Sequence, residues 1–143
     1  MKATMKKTNS VRRSPCPIAG TLDLVGDKWS LLVIRDMLHG KSTYGELQNS
    51  PEGIPTNILA DRLKRLEDAG LIVKSAYQER PVRFAYALSE KGTALGDVLT
   101  ALMRWGKSHI PGTRTLTESA SGSTRRRLVR RLTAKRAKAA RTG

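Results

Sequence analysis

Thr56, Asn57, Ala60, Asp61 and Lys64 fall on one side of a segment whose Leu59, Leu63 and Leu66 recur at helical spacing on the other. Presented from a helix, such side chains suit the edges of nucleic-acid bases. Asn57 can pair bidentately with adenine, Thr56 and Ala60 can touch a thymine methyl, and Lys64 can reach guanine or phosphate. Asp61 has two readings: it accepts from a cytosine amino group, or it pairs with Arg65 four residues on, and the ion pair is favoured. Catalytic chemistry has far less to work with. His39 and His109 lie seventy residues apart, and no HExxH, CxxC, P-loop or GxSxG occurs. One cysteine, Cys16, and two histidines give no metal-ligand spacing, so no enzyme, no metal and no cofactor are expected. His39, beside a glycine, reads as a helix-end cation.

The elements that must present those side chains lie within 41–71. Thr43-Tyr44-Gly45-Glu46 matches a capping box opening a short helix. Asn49-Ser50-Pro51-Glu52-Gly53 breaks it, because proline cannot continue a helix and glycine accepts positive φ. Pro55 suits the first position of a second helix, which Gly70 ends. This is a helix-turn-helix candidate, and two ordinary core helices are the alternative. Ser42 and Thr43 are placed either to bind phosphate with the helix's free N–H groups or only to cap.

After Gly70 the period changes to two. A strand from Leu71 to about Tyr77, a turn Gln78-Glu79-Arg80-Pro81 and a second strand Val82–Leu88 form a hairpin. Val82, Phe84, Tyr86 and Leu88 share one face. Arg80 at the tip and Arg83 on the open face suit DNA backbone or minor groove, or are simply solvated. A hairpin directly behind a helix-turn-helix is the arrangement called a winged helix.

Upstream, Ile18, Leu22 and Val25 mark a first helix ending near Gly26. Asp27 caps a second helix, Lys28 to Leu38, with Trp29, Leu32, Val33 and Met37 inward and Leu31 and Ile34 off the main stripe. Downstream, Ser89 and Glu90 open one long helix carrying Leu95, Val98, Leu99, Leu102, Met103 and Trp105 towards Ile110, and Pro111-Gly112 stops it. That helix is long for capping so small a core. Its surplus apolar face, together with Ile18 and Leu22 of the first helix, either meets a second copy or packs internally.

A net charge of +15 over 143 residues suggests a polyanionic partner, but its distribution is uneven. Residues 1–13 carry +5 and residues 112–143 carry +9, while residues 14–111 carry only +1. The expected domains are therefore a flexible basic arm (1–13), a folded domain (14–111), and a Ser/Thr/Gly linker leading to an Arg/Lys/Ala-rich tail (112–143). In the tail, Leu128, Val129 and Leu132 allow a weak basic amphipathic helix. No apolar run of transmembrane length and no signal peptide are evident, and the lone cysteine fits a reducing compartment, so cytoplasmic residence is expected.

Several short stretches resemble the HxlR-type regulators in order and spacing. These are Cys16-Pro17, Leu24-Val25-Gly26-Asp27-Lys28-Trp29-Ser30-Leu31-Leu32, Tyr44-Gly45-Glu46-Leu47 and Gly53-Ile54. Leu59-Ala60-Asp61-Arg62-Leu63, Leu66-Glu67-Asp68-Ala69-Gly70-Leu71, Tyr86-Ala87-Leu88-Ser89-Glu90-Lys91-Gly92 and Trp105-Gly106 continue the match. The resemblance spans roughly 14–110 and neither tail. It implies an α+β, mostly α fold: a winged helix-turn-helix with an added C-terminal dimerisation helix and basic disordered tails. It also implies a homodimeric transcription factor, most often a repressor, on an inverted-repeat operator in double-stranded DNA. Some members of this family sense oxidants or electrophiles through an N-terminal cysteine. Cys16 stands at a helix start, where the dipole favours an anion, and is either such a sensor or a buried, inert thiol. The effector is unspecified. Pro55 departs from the family, in which Ser or Thr usually opens the recognition helix, so a capping hydroxyl must come from Thr56 or be absent.

Two other functions compete. An architectural protein could coat DNA non-specifically through its tails, with a salt slope of roughly −0.9 per phosphate neutralised. A winged helix could instead use its wing on another protein.

Overall fold

The computed structural model describes residues 13–115, so expectations for the rest of the N-terminal arm and for 116–143 lie outside the described residues. The elements in order are α1 (Pro17–Val25), α2 (Ser30–Leu38), α3 (Tyr44–Gln48), α4 (Thr56–Asp68), β1 (Ile72–Glu79), β2 (Val82–Leu88), α5 (Glu90–Thr93) and α6 (Gly96–His109). The chain divides into two compact units, one through Leu99 and one from Thr100 onward.

In the first unit, aliphatic side chains from α2, α3, α4 and β1 fill the core: Val33, Ile34, Met37, Leu47, Leu59, Leu63, Leu66 and Ile72, joined by Val25, Ile54 and Leu71. The buried side of α2 differs from the expected stripe. Ile34 is 0 % exposed and lies beside Ser30, Val33 and Met37, whereas Trp29 and Leu32 are only half-buried. A helix apolar around most of its circumference leaves its orientation to its neighbours. Asp27 caps α2 as expected, accepting from the Trp29 and Ser30 amides at 3.1 Å each, although the helix itself begins at Ser30.

β1 and β2 pair antiparallel from Ile72↔Leu88 to Glu79↔Val82, with an irregularity between Ala76 and Gln78. Both the start and the end of β1 fall later than expected, so the connection shortens to Arg80-Pro81, whose peptide is cis. The common face of β2 holds only near the base of the hairpin. Tyr86 and Leu88 are half-buried, whereas Phe84 and Val82 nearer the tip are exposed, and the Lys74 ammonium covers the Phe84 ring at 4.4 Å. The hairpin is fastened to the start of α3 by Tyr86 N–H donating to Ser42 C=O at 2.7 Å and by a bridge between Thr43 and Ala85.

The single long helix expected after Ser89 is two. α5 ends at Thr93, Leu95 N–H bonds back to Gly92 C=O at 3.1 Å, and α6 begins at Gly96. Gly92 is buried so tightly against the Leu71 carbonyl that a β-carbon there would overlap it. Side-chain periodicity is blind to this close approach. Leu95 and Leu99 pack against the core, so within the expected dimer set they serve the fold of their own chain.

In the second unit α6 runs on to His109, whose ring lies 4.9 Å from that of Trp105. Gly112, at φ 80°, turns the chain away, and Thr113 Oγ1 donates to Ile110 C=O at 2.9 Å. Leu102 and Trp105 are exposed.

Candidate nucleic-acid interface

α4 turns the expected row outward. Leu59, Leu63 and Leu66 are 0 %, 2 % and 1 % exposed, which fixes the opposite side of the helix towards solvent. Thr56, Asn57, Ala60, Asp61, Lys64 and Arg65 are all exposed there. The structure corrects one expectation about this row. Asp61 pairs with Arg62, not with Arg65, because Arg62 lies across α4 towards Asp27, with Nε 2.7 Å from Asp27 Oδ2. Asp27 is thus the centre of a small network joining α4 to the start of α2. Burial pushes its carboxyl up, but hydrogen bonds from Ser30, Arg62 and the Trp29 and Ser30 amides outweigh that and bring it to about 2.

Pro55 stands at the N-cap of α4, with φ −62° and ψ 144°, and no side chain caps the helix. The Thr56 hydroxyl supplies no cap either, so of the two expected outcomes the absent one is realised. What reaches this end of the helix instead is the Tyr44 hydroxyl, which donates to the Thr56 carbonyl at 2.7 Å. α3 itself opens with the expected capping box. Thr43 Oγ1 accepts from Glu46 N–H at 3.3 Å while the Glu46 carboxylate accepts from the Ser42 and Thr43 amides at 2.8 and 3.3 Å. Those two backbone bonds, in that order, pull the Glu46 carboxyl below its ordinary value. Thr43 therefore acts as a cap here, and Ser42 and Thr43 are both half-buried.

The turn between α3 and α4 is clamped by charges. Arg35 on α2 holds Glu52 bidentately, Nη1 to Oε1 at 2.7 Å and Nη2 to Oε2 at 2.8 Å, and its Nε donates to buried Asp36 at 3.0 Å. Lys41 Nζ lies 3.6 Å from the same aspartate. Ser50 Oγ donates to Glu52 at 2.7 Å, and Gly53 adopts φ 68° to complete the turn. The Arg35 guanidinium, ahead of the Ser50 hydroxyl, holds the Glu52 carboxyl at about 2 despite partial burial.

Arg35, Glu52, Arg62 and Tyr44 escaped the sequence reading. A charged pair inside an otherwise apolar helix, Arg35-Asp36, was the available signal for the clamp. Nothing in the spacing linked it to Glu52 seventeen residues on, or Tyr44 to Thr56 twelve residues on. Arg80 and Arg83 are exposed on the hairpin, and Arg83 borders a groove of about 420 Å³ between the hairpin and the start of α3 that Tyr44, Tyr77, Phe84 and Tyr86 also line. Cys16 is a free thiol at the N-cap of α1, exposed in the single chain.

A helix-turn-helix whose second helix turns polar and small side chains outward, with a two-stranded wing directly behind it, defines the winged-helix class of DNA-binding proteins. Within that class the chain belongs to the HxlR-like helix-turn-helix family, whose profile matches residues 24–114. It is a transcriptional regulator. It is 37 % identical over 95 residues to an HTH-type transcriptional regulator of Synechocystis sp., an alignment covering 66 % of this chain and 70 % of that one. HTH-type regulators of Mycobacterium align over 59 % of their own length. Among solved structures, the transcription-factor candidate PA1607 superposes with a TM-score of 0.65 at 36 % identity, covering 73 % of this chain and 74 % of that one. The oxidized redox regulator HypR superposes with a TM-score of 0.60 at 29 % identity, covering 71 % of this chain and all of that one. No helix among the described residues is long and apolar enough to cross a membrane.

Proposed function

We propose that this regulator binds an inverted-repeat operator as a homodimer and represses transcription there. The observation that carries the reading is the α4 surface: a sealed leucine face opposite an exposed row of Thr56, Asn57, Ala60, Asp61 and Lys64. In a major groove this row reads bases from the N-terminal half of the helix. Arg65, the half-buried Ser42 and Thr43 with the α3 amides, and Arg80 and Arg83 on the wing take phosphate and minor groove. The second copy joins through exposed apolar side chains, Ile18 and Leu22 on α1 and Val98, Leu102 and Trp105 on α6. The folded domain 14–111 carries the specificity, and the basic segments on either side add affinity without sequence preference. The test is selection of sites from random duplexes by protein ending at about Pro111. Enrichment of one palindrome supports the reading. Loss of nearly all binding favours a coat of non-specific tails, and a domain with no DNA preference in either form favours a wing that binds protein.

A second reading concerns control. Cys16 is exposed at a groove that Arg13, Thr21, Leu24 and Lys91 also line, and a structurally similar protein is a redox regulator. Oxidation or alkylation of Cys16 would then alter α1, one of the two proposed dimer elements. A Cys16→Ser variant should repress normally but fail to release under oxidant. Full release by that variant removes the sensor role.

A further inference from the structure

The first turn of α4 must be held in place, because the two side chains best suited to base edges there, Thr56 and Asn57, both belong to it. An α-helix leaves its first N–H groups without intrahelical partners, and a side chain at the N-cap ordinarily fastens one of them. Here the N-cap residue is Pro55, whose ring offers no acceptor, and the first bond within the helix is Leu59 N–H to Pro55 C=O at 2.9 Å. An uncapped turn with two exposed side chains is the part of a helix most prone to fray.

The Tyr44 hydroxyl meets this turn from outside, donating to the Thr56 carbonyl at 2.7 Å. The other end of the tether is firm. Tyr44 is the first residue of α3, directly behind the capping box of Thr43 and Glu46, and its ring packs against the hydrophobic core. The preceding residues are also tied to the wing, Ser42 through Tyr86 N–H and Thr43 through its bridge to Ala85. A phenylalanine would supply the same apolar ring, so the hydroxyl is the part of Tyr44 that packing does not explain.

We infer that Tyr44 is a positioning residue for base recognition, its hydroxyl tethering the uncapped first turn of α4 by the Thr56 carbonyl and so holding Thr56 and Asn57 in register. This rests on the proposed reading of α4. It deepens that reading by assigning part of sequence selectivity to a residue that touches no base.

The experiment compares the full chain with Tyr44→Phe and with Tyr44→Phe/Pro55→Ser. Two quantities are measured: amide hydrogen exchange in α4 without DNA, and the ratio of affinities for the selected duplex and a scrambled one. One hydrogen bond of ordinary net strength corresponds to about a fivefold effect. Tyr44→Phe should speed exchange at Leu59 and Ala60 about fivefold and leave Leu63 and Leu66 unchanged. The selectivity ratio should fall by about the same factor, with scrambled-duplex affinity and its salt dependence unaltered. A serine in place of Pro55 can cap the helix, so the double variant should recover both quantities. Parental exchange and selectivity in Tyr44→Phe overturn the inference. So does faster exchange spread equally over α4 with equal loss of both affinities, which marks a merely structural hydroxyl. If the parent chain selects no sequence while the exchange change appears, the operator reading fails and the hydroxyl's hold on the helix stands.

Discussion

Asn57 and Lys64 lie seven residues apart, close to two helical turns, so they project from the same side of α4. Their chemistry separates them. An amide reads a base edge bidentately, whereas an ammonium is a point charge that serves phosphate as well as guanine. Asn57→Ala should therefore weaken operator binding by about 1–3 kcal/mol and relax preference at one base pair. Where Lys64 serves phosphate, Lys64→Ala should weaken all sequences alike and lower the salt slope by about one. Gel-shift titrations over a salt series distinguish the two, and both variants should melt with the parent. Asp61 has a smaller part than its position suggests. Its partner Arg62 is committed to Asp27, and an exposed pair of this kind contributes little. Gly92 is the opposite case, a residue with no side chain and a large predicted effect. Gly92→Ala would drive a methyl into the Leu71 carbonyl and should cost about 3 kcal/mol, read by denaturant unfolding.

The turn between α3 and α4 is held by Arg35, Glu52 and Ser50 together with the buried Ile54. Removing Arg35 would strand the buried Asp36 with only the more distant Lys41, so Arg35→Ala should cost about 3 kcal/mol. Glu52→Gln keeps the shape of the turn and should cost less. Acid should have the same effect as the loss of Glu52. The folded values of Glu52 and Asp27, both about 2, lie below their ordinary 4.5 and 3.8. Each carboxylate therefore contributes stability that is present above its ordinary value and lost as pH falls through its folded one. Thermal melts should show stability falling between about pH 5 and pH 2, with a shallower fall in Glu52→Gln.

Across the whole chain, the proposed reading places affinity and selectivity in different segments. The segment 14–111 carries a net charge of only +1, so its grip on DNA depends on where a few cations stand, while 112–143 brings +9 regardless of fold. Ending the chain near Pro111 should preserve the preferred palindrome and flatten the salt dependence, measured by titration from low to high salt. In the proposed dimer a charge within the apolar stripe of α6 should be intolerable. Trp105, 62 % exposed in the single chain, is the natural site, and Trp105→Glu should shift sedimentation from dimer to monomer and lose palindrome binding with it.

Reading along the chain was enough for α1, the capped α3, the proline–glycine turn, the exposed row of α4 and the existence of the wing. Each of these depends on contacts within a few residues or on a period of 3.6 or 2. Reading along the chain could not orient α2, which is apolar all round, or divide α5 from α6 at Ala94 and Leu95. Nor could it pair Arg35 with Glu52, Arg62 with Asp27, or Tyr44 with Thr56. Those partners stand 12 to 35 residues apart, and only packing of the helices brings them within hydrogen-bond range. The local pattern determined which side chains α4 shows to solvent. The tertiary structure decided what holds them there, because a helix sets the spacing of its own residues but has no control over what meets its ends.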